Sequence, residues 1–123
     1  MNVQPDYSDR RRHARFELFD YAVLERLDAP ETHQCVVIDV SLGGIQVRSR
    51  EELPMGIKYR LTIGRGEIKP VLITAEVRYV GPIPDTDLFS IGFRCAPQSA
   101  LERIAWVEYV HDVFKSQGEI LIG

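Results

Sequence analysis

The segment DRRRHARF, residues 9–16, places four arginines within six consecutive positions near the amino terminus. Arginine carries a planar, permanently charged guanidinium group that pairs with phosphate through two parallel hydrogen bonds, stacks on aromatic rings and donates to the O6 and N7 edge of guanine. The cluster therefore has the chemistry to hold a ring system that bears phosphates. Taken alone, it fits a solvated run of charges equally well.

A second segment, DVSLGG at residues 39–44, supplies groups that arginine lacks. Asp39 and Ser41 are two positions apart, so strand geometry predicts that they lie on one face, and Gly43 and Gly44 permit a sharp bend. A carboxylate accepts hydrogen bonds, so Asp39 complements the arginines at the N1–H and N2–H side of guanine. The two segments together predict a site for a guanine nucleotide. The alternative for DVSLGG is that Asp39 and Ser41 only hydrogen-bond their own turn.

The charge balance makes any anion site a local one. The chain has 15 lysines and arginines against 18 acidic residues, a formal charge of −3, so the whole surface does not attract polyanions. Nucleic-acid binding through the arginines is the weaker alternative, because the other basic residues are interleaved with acids and aromatic stacking motifs are absent. We therefore expect a small anionic ligand and no nucleic acid.

The remaining chemically reactive side chains predict no catalysis. His13, His33, His111, Cys35 and Cys95 show neither metal-ligand spacing nor a nucleophile pattern, so we expect no enzyme, metal or cofactor, and two buried free thiols. No apolar run is long enough to cross a bilayer, and no signal peptide is apparent. The predicted protein is cytoplasmic, without membrane insertion.

The chain of 123 residues has the length of one domain. Residues 1–15 are polar and aperiodic, which predicts a flexible N-terminal arm. From residue 16 onward, short apolar runs alternate with turn-forming residues, and closing them into a barrel removes exposed edges. The predicted fold is all-β, a six-stranded antiparallel β-barrel over residues 16–96. The predicted strands are 16–27, 34–41, 43–49, 57–64, 71–81 and 88–95.

Alternation of apolar and polar residues predicts which side chains face the core. In the second strand we expect Val36, Ile38 and Val40 to share one face. In the fifth strand, the side chains predicted to point inward are Val71, Ile73, Ala75, Val77 and Tyr79, and those predicted to point outward are Thr74, Glu76 and Arg78.

A helix is predicted over residues 97–117, with Ser99 as N-cap, Glu102 as its capping-box partner and Gly118 as the C-terminal signal. Its apolar face contains Trp106, Tyr109, Val110 and Val113, extended by Val107 and Phe114. This face is predicted to pack on the barrel, because a small domain rarely leaves a large apolar face exposed. The alternative is an interface with a partner or a second copy, that is, a homodimer.

The two charged segments, in this order and joined by one strand and one loop, resemble the sequence motifs of the PilZ domain, RxxxR and [D/N]xSxxG. The resemblance covers about residues 9–96. The matching positions are Arg11, Arg12 and Arg15 in the first motif and Asp39, Ser41 and Gly44 in the second.

This resemblance implies a bacterial six-stranded barrel that binds the second messenger cyclic di-GMP. The three motif arginines would take the phosphates and guanines, Asp39 and Ser41 would contact a guanine from the barrel, and Gly44, after Gly43, would give the backbone room. Arg10 precedes the first motif. A basic residue there accompanies an intercalated dimer of the ligand, so two stacked ligands are favoured.

An arm rich in like charges is expected to become ordered when an anion binds, which makes it a switch. Output would then pass to an unidentified downstream effector protein that senses the arm or the surface it forms. The alternative within the family is a PilZ-like interaction module that does not bind the ligand.

Overall fold

A closed antiparallel barrel with a helix packed on it is the architecture of the computed structural model, which describes residues 16–65 and 68–122. The N-terminal arm, residues 1–15, and with it Arg10, Arg11, Arg12 and Arg15, lies outside the described residues. The described elements are β1 (Phe16–Arg26), β2 (Thr32–Val40), β3 (Gly44–Ser49), β4 (Lys58–Arg65), β5 (Ile68–Pro82), β6 (Phe89–Cys95) and α1 (Ala100–Ile122).

The strands are hydrogen-bonded in the order β1-β2-β3-β6-β5-β4, and β4 returns to β1. Every neighbouring pair is antiparallel. Closure gives each strand a partner on both sides, so no row of backbone donors and acceptors is left at an edge. The predicted six-stranded barrel is confirmed.

The interior of the barrel is filled by the apolar side chains that alternation predicts in β3 and β4. Ile45 and Val47 are buried in β3, and Tyr59 and Leu61 are buried in β4, while Arg48 and other alternate residues face solvent. Period-two alternation is therefore sufficient to assign the faces of a strand that has no extra residue of its own, since the register shifts next to β3 and β4 place the extra residue on β2 and β5.

Strand β2 departs from its predicted pattern. Val37 and Val40 are fully buried, as is Cys35, whereas Val36 and Ile38 are only half-buried. The pairing between β2 and β3 shifts register between Val37 and Asp39, so one extra residue interrupts the alternation. The prediction that Val36 and Ile38 share the face of Val40 was wrong for this reason.

Strand β5 contains a second irregularity, with a register shift against β6 between Val77 and Tyr79. Tyr79 was predicted to point inward but is 57% exposed, and Val80 packs against the core instead. Thr74 was predicted to point outward but is fully buried. Its backbone N–H donates to Glu102 Oε2 at 2.6 Å, which places α1 over this part of β5.

Helix α1 begins and ends later than the predicted span of 97–117. Ser99 Oγ accepts the N–H of Glu102 at 3.1 Å, so Ser99 is the N-cap and Ala100 is the first helical residue. The helix continues through Gly118 to Ile122. A glycine inside a helix costs about 1 kcal/mol relative to alanine, which lowers stability without forcing an end.

The central part of the predicted apolar face of α1 packs on the barrel, whereas Val107 and Phe114, predicted to extend this face, are 47% and 52% exposed. Trp106, Tyr109, Val110 and Val113 are all buried, and the rings of Trp106 and Tyr109 stack with centroids 5.3 Å apart. Tyr109 also donates its hydroxyl hydrogen to Asp20 Oδ2 in β1 at 2.9 Å. The helix is thus fixed to β1 as well as to β5.

The two cysteines are free thiols in different environments. Cys35 is 5% exposed, whereas Cys95 is half-buried, so the prediction of buried thiols holds fully for Cys35 alone. Burial raises the pKa of the Cys35 thiol to about 12. Because the thiolate is the reactive form, Cys35 should stay protonated and inert well above neutral pH while the protein is folded.

We expect a thiol-specific disulfide reagent at pH 8 to modify at most one cysteine per folded chain, at Cys95. Both thiols should react after denaturation. The matched variants are Cys35→Ala, which should leave the fast reaction of the folded protein unchanged, and Cys95→Ala, which should remove it. Rapid modification of Cys35 in the folded Cys95→Ala protein would contradict the prediction.

Candidate functional site

The connection between β2 and β3, residues 41–43, is named here the β2–β3 turn. The backbone N–H of Ser41 donates to the carbonyl of Gly44 at 2.9 Å, and the N–H of Gly44 donates to Ser41 Oγ at 3.1 Å. The Ser41 side chain is only 3% exposed. These contacts match the alternative interpretation in which Ser41 shapes its own turn. Any direct contact of Ser41 with a ligand stays a prediction.

The β2–β3 turn is also held by two other elements. The carbonyl of Gly43 accepts the N–H of Cys95, at the end of β6, at 3.0 Å. The indole Nε1–H of Trp106 donates to the carbonyls of Ser41, at 3.3 Å, and Leu42, at 3.2 Å. Because β6 and α1 both hold its backbone, the turn is organised before any ligand arrives.

Asp39 lies on the outer surface, two residues before Ser41, the first residue of the turn. Its neighbour Val40 points into the core, so Asp39 points outward, where it is half-buried opposite Gln46 of β3. Gln46 Nε2 donates in turn to Ser90 Oγ of β6. The carboxylate therefore stands beside a polar surface formed by three adjacent strands.

The pairing of β1 with β2 fixes where the N-terminal arm meets the barrel. Phe16, the first residue of β1, lies opposite Val40, and Glu17 lies opposite Asp39. Paired Cα atoms in antiparallel strands are about 4.5 to 5.5 Å apart, and consecutive Cα atoms are about 3.8 Å apart. Phe16, the residue that follows the N-terminal arm in sequence, therefore lies beside the end of β2 that carries Asp39.

The predicted site residues thus divide into two sets. Asp39, Ser41, Gly43 and Gly44 are brought together at one end of the β2–β3 hairpin. The four arginines of the N-terminal arm precede β1, which pairs with that hairpin, but their own positions lie outside the described residues. Their part in the site stays a prediction.

Trp106 is the residue near the site whose contact the sequence analysis missed. Helical periodicity placed Trp106 correctly on the buried face, but it did not predict the hydrogen bonds that the indole N–H donates to the β2–β3 turn. The indole N–H of a buried tryptophan normally needs an acceptor, so the sequence does indicate that a partner exists. The partners are Ser41 and Leu42, which only the tertiary structure identifies.

The described residues show neither a metal site nor a helix that could span a membrane. Across residues 16–65 and 68–122, no cluster of three or more histidine, cysteine or acidic side chains is arranged to hold a metal ion. The one helix described in this part of the chain is too polar to be a candidate membrane span.

The solved structures that resemble this fold include proteins solved with a ligand. The PilZ domain of YcgR from Escherichia coli, solved with cyclic di-GMP, has a TM-score of 0.69 and 16% identity over 91% of this chain and 97% of that one. The MrkH–cyclic di-GMP complex from K. pneumonia has a TM-score of 0.72 and 18% identity over 89% of this chain and 54% of that one. The Bacillus subtilis inhibitor of motility MotI/DgrA has a TM-score of 0.66 and 18% identity over 89% of this chain and 52% of that one.

The chain spans about half the length of MrkH and of the Bacillus protein. At these identities the structural likeness establishes the fold alone. No curated protein matches the sequence closely enough to add a relative.

The sequence itself provides the evidence for family membership. The family model of the PilZ domain matches residues 9–112. This span includes all four arginines of the N-terminal cluster, the whole barrel and the first half of α1. The match covers far more than half of the chain, and the barrel agrees with it. This chain belongs to the PilZ domain family.

Proposed function

We propose that this protein is a receptor for cyclic di-GMP, which it binds between the N-terminal arm and the β2–β3 turn. The observation that carries the proposal is the register of β1 against β2, in which Phe16, the residue that follows the arm in sequence, lies opposite Val40 and next to Asp39. Family membership and the cyclic di-GMP complexes of YcgR and MrkH support the choice of ligand. PilZ domains are binding domains, and we propose a receptor rather than an enzyme.

Each part of the proposed site has a separate chemical task. Arg11, Arg12 and Arg15 would neutralise the phosphates and bind guanine through its face and its O6 and N7 edge. Asp39 would accept from the N1–H and N2–H side of a guanine. Ser41 would act by holding the shape of the turn, since its hydroxyl group already contacts Gly44.

Gly43 and Gly44 would let the ligand approach the backbone of the turn. Arg10 stands next to the motif arginines and adds a positive charge to the arm, so we propose that the site accepts two intercalated ligand molecules. Four phosphates would then face four arginines, which favours the higher stoichiometry on charge alone.

Signal output would follow from ordering of the N-terminal arm. Binding would bring the arm down onto the barrel and create a surface that an effector protein can recognise. The indole of Trp106 connects the β2–β3 turn to α1. A ligand bound at the turn would therefore also alter the surface formed by α1. The effector would bind this rearranged surface in the cytoplasm.

Calorimetric titration of the full chain tests the proposal. Cyclic di-GMP should bind with about two ligands per chain, while GMP, which has one guanine and one phosphate, should bind far more weakly. A short single-stranded DNA oligonucleotide should not bind, since the chain is acidic overall. Absence of heat with cyclic di-GMP would overturn the proposal, and binding of the oligonucleotide alone would favour the nucleic-acid alternative. A ratio of one would retain the receptor and reject the intercalated dimer.

A further inference from the structure

Asp39 begins a row of outward residues that crosses four strands. Asp39 lies opposite Gln46, Gln46 lies opposite Gly92, and Gly92 lies opposite Tyr79. We name these four residues the outer row. Adjacent strands are about 4.8 Å apart, so the row extends about 14 Å along the barrel surface from the Asp39 backbone.

Tyr79, at the far end of the outer row, is a large aromatic side chain directed to solvent. It is 57% exposed, and the register shift between Val77 and Tyr79 is what turns it away from the core. Bulges of this kind commonly re-aim a side chain next to a functional site. Its exposure is therefore produced by a specific backbone feature of β5.

Two glycines shape the surface around the Tyr79 ring. A Cβ atom at position 81 would overlap the Tyr79 hydroxyl and lie 2.9 Å from its Cζ, so glycine at this position is what lets the ring lie against β5. A Cβ at position 92 would lie 3.4 Å from the Tyr79 Cβ. Gly92 has no side chain, so its position in the outer row places no side-chain atom between Gln46 and Tyr79.

We propose that Tyr79 is a ligand-contact residue that stacks on a guanine of cyclic di-GMP, at the end of the site opposite Asp39. This inference rests on the proposed function. The arm and Asp39 supply charge and hydrogen bonds, whereas the face of a base is also recognised by an aromatic ring. Gly92, which is partly exposed and has no side chain, lies between the two ends of the outer row.

The dimensions of the ligand agree with this arrangement. Four bases of an intercalated dimer, stacked at about 3.4 Å, place the outer two about 10 Å apart. The outer row of about 14 Å between backbones leaves side-chain room at each end. Asp39 can then bind the edge of one guanine while Tyr79 covers the face of another.

Calorimetric titration of variants with cyclic di-GMP tests the inference. Tyr79→Ala should weaken binding about 10-fold or more, the loss expected when a base loses an aromatic partner. Tyr79→Phe keeps the ring and should bind within about 3-fold of the unmodified protein. Tyr79→Leu keeps an apolar side chain over Gly81 without an aromatic face, and should resemble Tyr79→Ala.

Tyr21 provides the matched control, since it is a tyrosine 75% exposed on β1 that lies opposite Val36 and outside the outer row. Tyr21→Ala should bind as the unmodified protein does. Thermal unfolding without ligand should show that all variants are folded. If Tyr79→Ala is not folded, the affinities of Tyr79→Leu and Tyr79→Phe for cyclic di-GMP determine whether the aromatic ring contributes to binding.

The outcomes separate the two proposals. If the unmodified protein does not bind cyclic di-GMP, the proposed function fails. If it binds and Tyr79→Ala binds equally well, or Tyr79→Leu matches Tyr79→Phe, the receptor stands and the role of Tyr79 is overturned.

Discussion

Replacing Trp106 with alanine should destabilise the fold by about 3 to 5 kcal/mol, the cost of removing a large buried aromatic side chain. Trp106 is 2% exposed, stacks on Tyr109 and donates to the carbonyls of Ser41 and Leu42. Its removal leaves a cavity between α1 and the barrel and releases the β2–β3 turn. Urea unfolding followed by circular dichroism measures the loss, since the chain has no other tryptophan to report by fluorescence.

Two variants distinguish packing from hydrogen bonding at this position. Trp106→Phe retains much of the buried apolar surface but removes the donor, so it should cost about 1 to 3 kcal/mol, mainly from the unpaired carbonyls. Leu101→Ala is the control on the same helix, because Leu101 is 80% exposed and its loss should change stability by less than about 0.5 kcal/mol. If Trp106→Ala lowers the free energy of unfolding no more than Leu101→Ala does, the contact between α1 and the β2–β3 turn does not stabilise the fold.

The strands that have no extra residue of their own are the part of the fold that the sequence predicts best. In β3 and β4, every second residue is buried, as for Val47 and Leu61, because each strand has one face toward the core and one toward solvent. Closure into a barrel also follows from the sequence, since six short strands would otherwise leave exposed edges.

The bulges that moved side chains to the opposite face could not be predicted, because a bulge depends on how a strand pairs with a partner distant in the chain. The register shift before Asp39 and the one before Tyr79 each change the face on which the following residues lie. Alternation carried through either point assigns the wrong face, as it did for Ile38 and Tyr79. Both shifts occur on strands that carry residues of the outer row.

Helix α1 shows the same division between local and tertiary information. The N-cap at Ser99 is a local feature and was predicted, since its partner is only three residues away. Glu102 was predicted to complete a capping box, but its carboxylate accepts the N–H of Thr74 in β5 instead. A contact with a partner 28 residues away competes with the local one and cannot be read from helix signals.

The sequence indicates the residue types of the candidate site and their order, but not its geometry. RRHAR and DVSLGG indicate the two halves of a guanine nucleotide site from their chemistry alone. The proximity of those halves depends on the pairing of Phe16 with Val40. That pairing is a tertiary fact, and it gives the proposed binding mechanism its physical basis.

Substituting the charged residues of the proposed site should have the largest effect on ligand binding. Arg15→Ala and Asp39→Ala should each weaken cyclic di-GMP binding about 10- to 100-fold, because a charge-assisted hydrogen bond contributes about 1.5 to 3 kcal/mol. Arg15 directly precedes Phe16 in sequence, and Phe16 pairs with Val40, so Arg15→Ala should weaken binding whichever phosphate or base the arginine contacts. Calorimetric titration at one fixed salt concentration measures both affinities.

Matched controls and salt dependence determine whether these losses come from the site. Arg60→Ala and Asp87→Ala remove the same types of side chain from exposed positions on β4 and on the loop between β5 and β6, and both should bind normally. Raising the salt concentration should weaken binding by the unmodified protein more steeply than binding by Arg15→Ala. The variant forms one fewer ion pair with the ligand, so its affinity depends less on screening by salt. Unchanged affinity in the Arg15→Ala protein would remove the N-terminal arm from the site, whereas unchanged affinity in Asp39→Ala alone would leave the arm and remove the carboxylate.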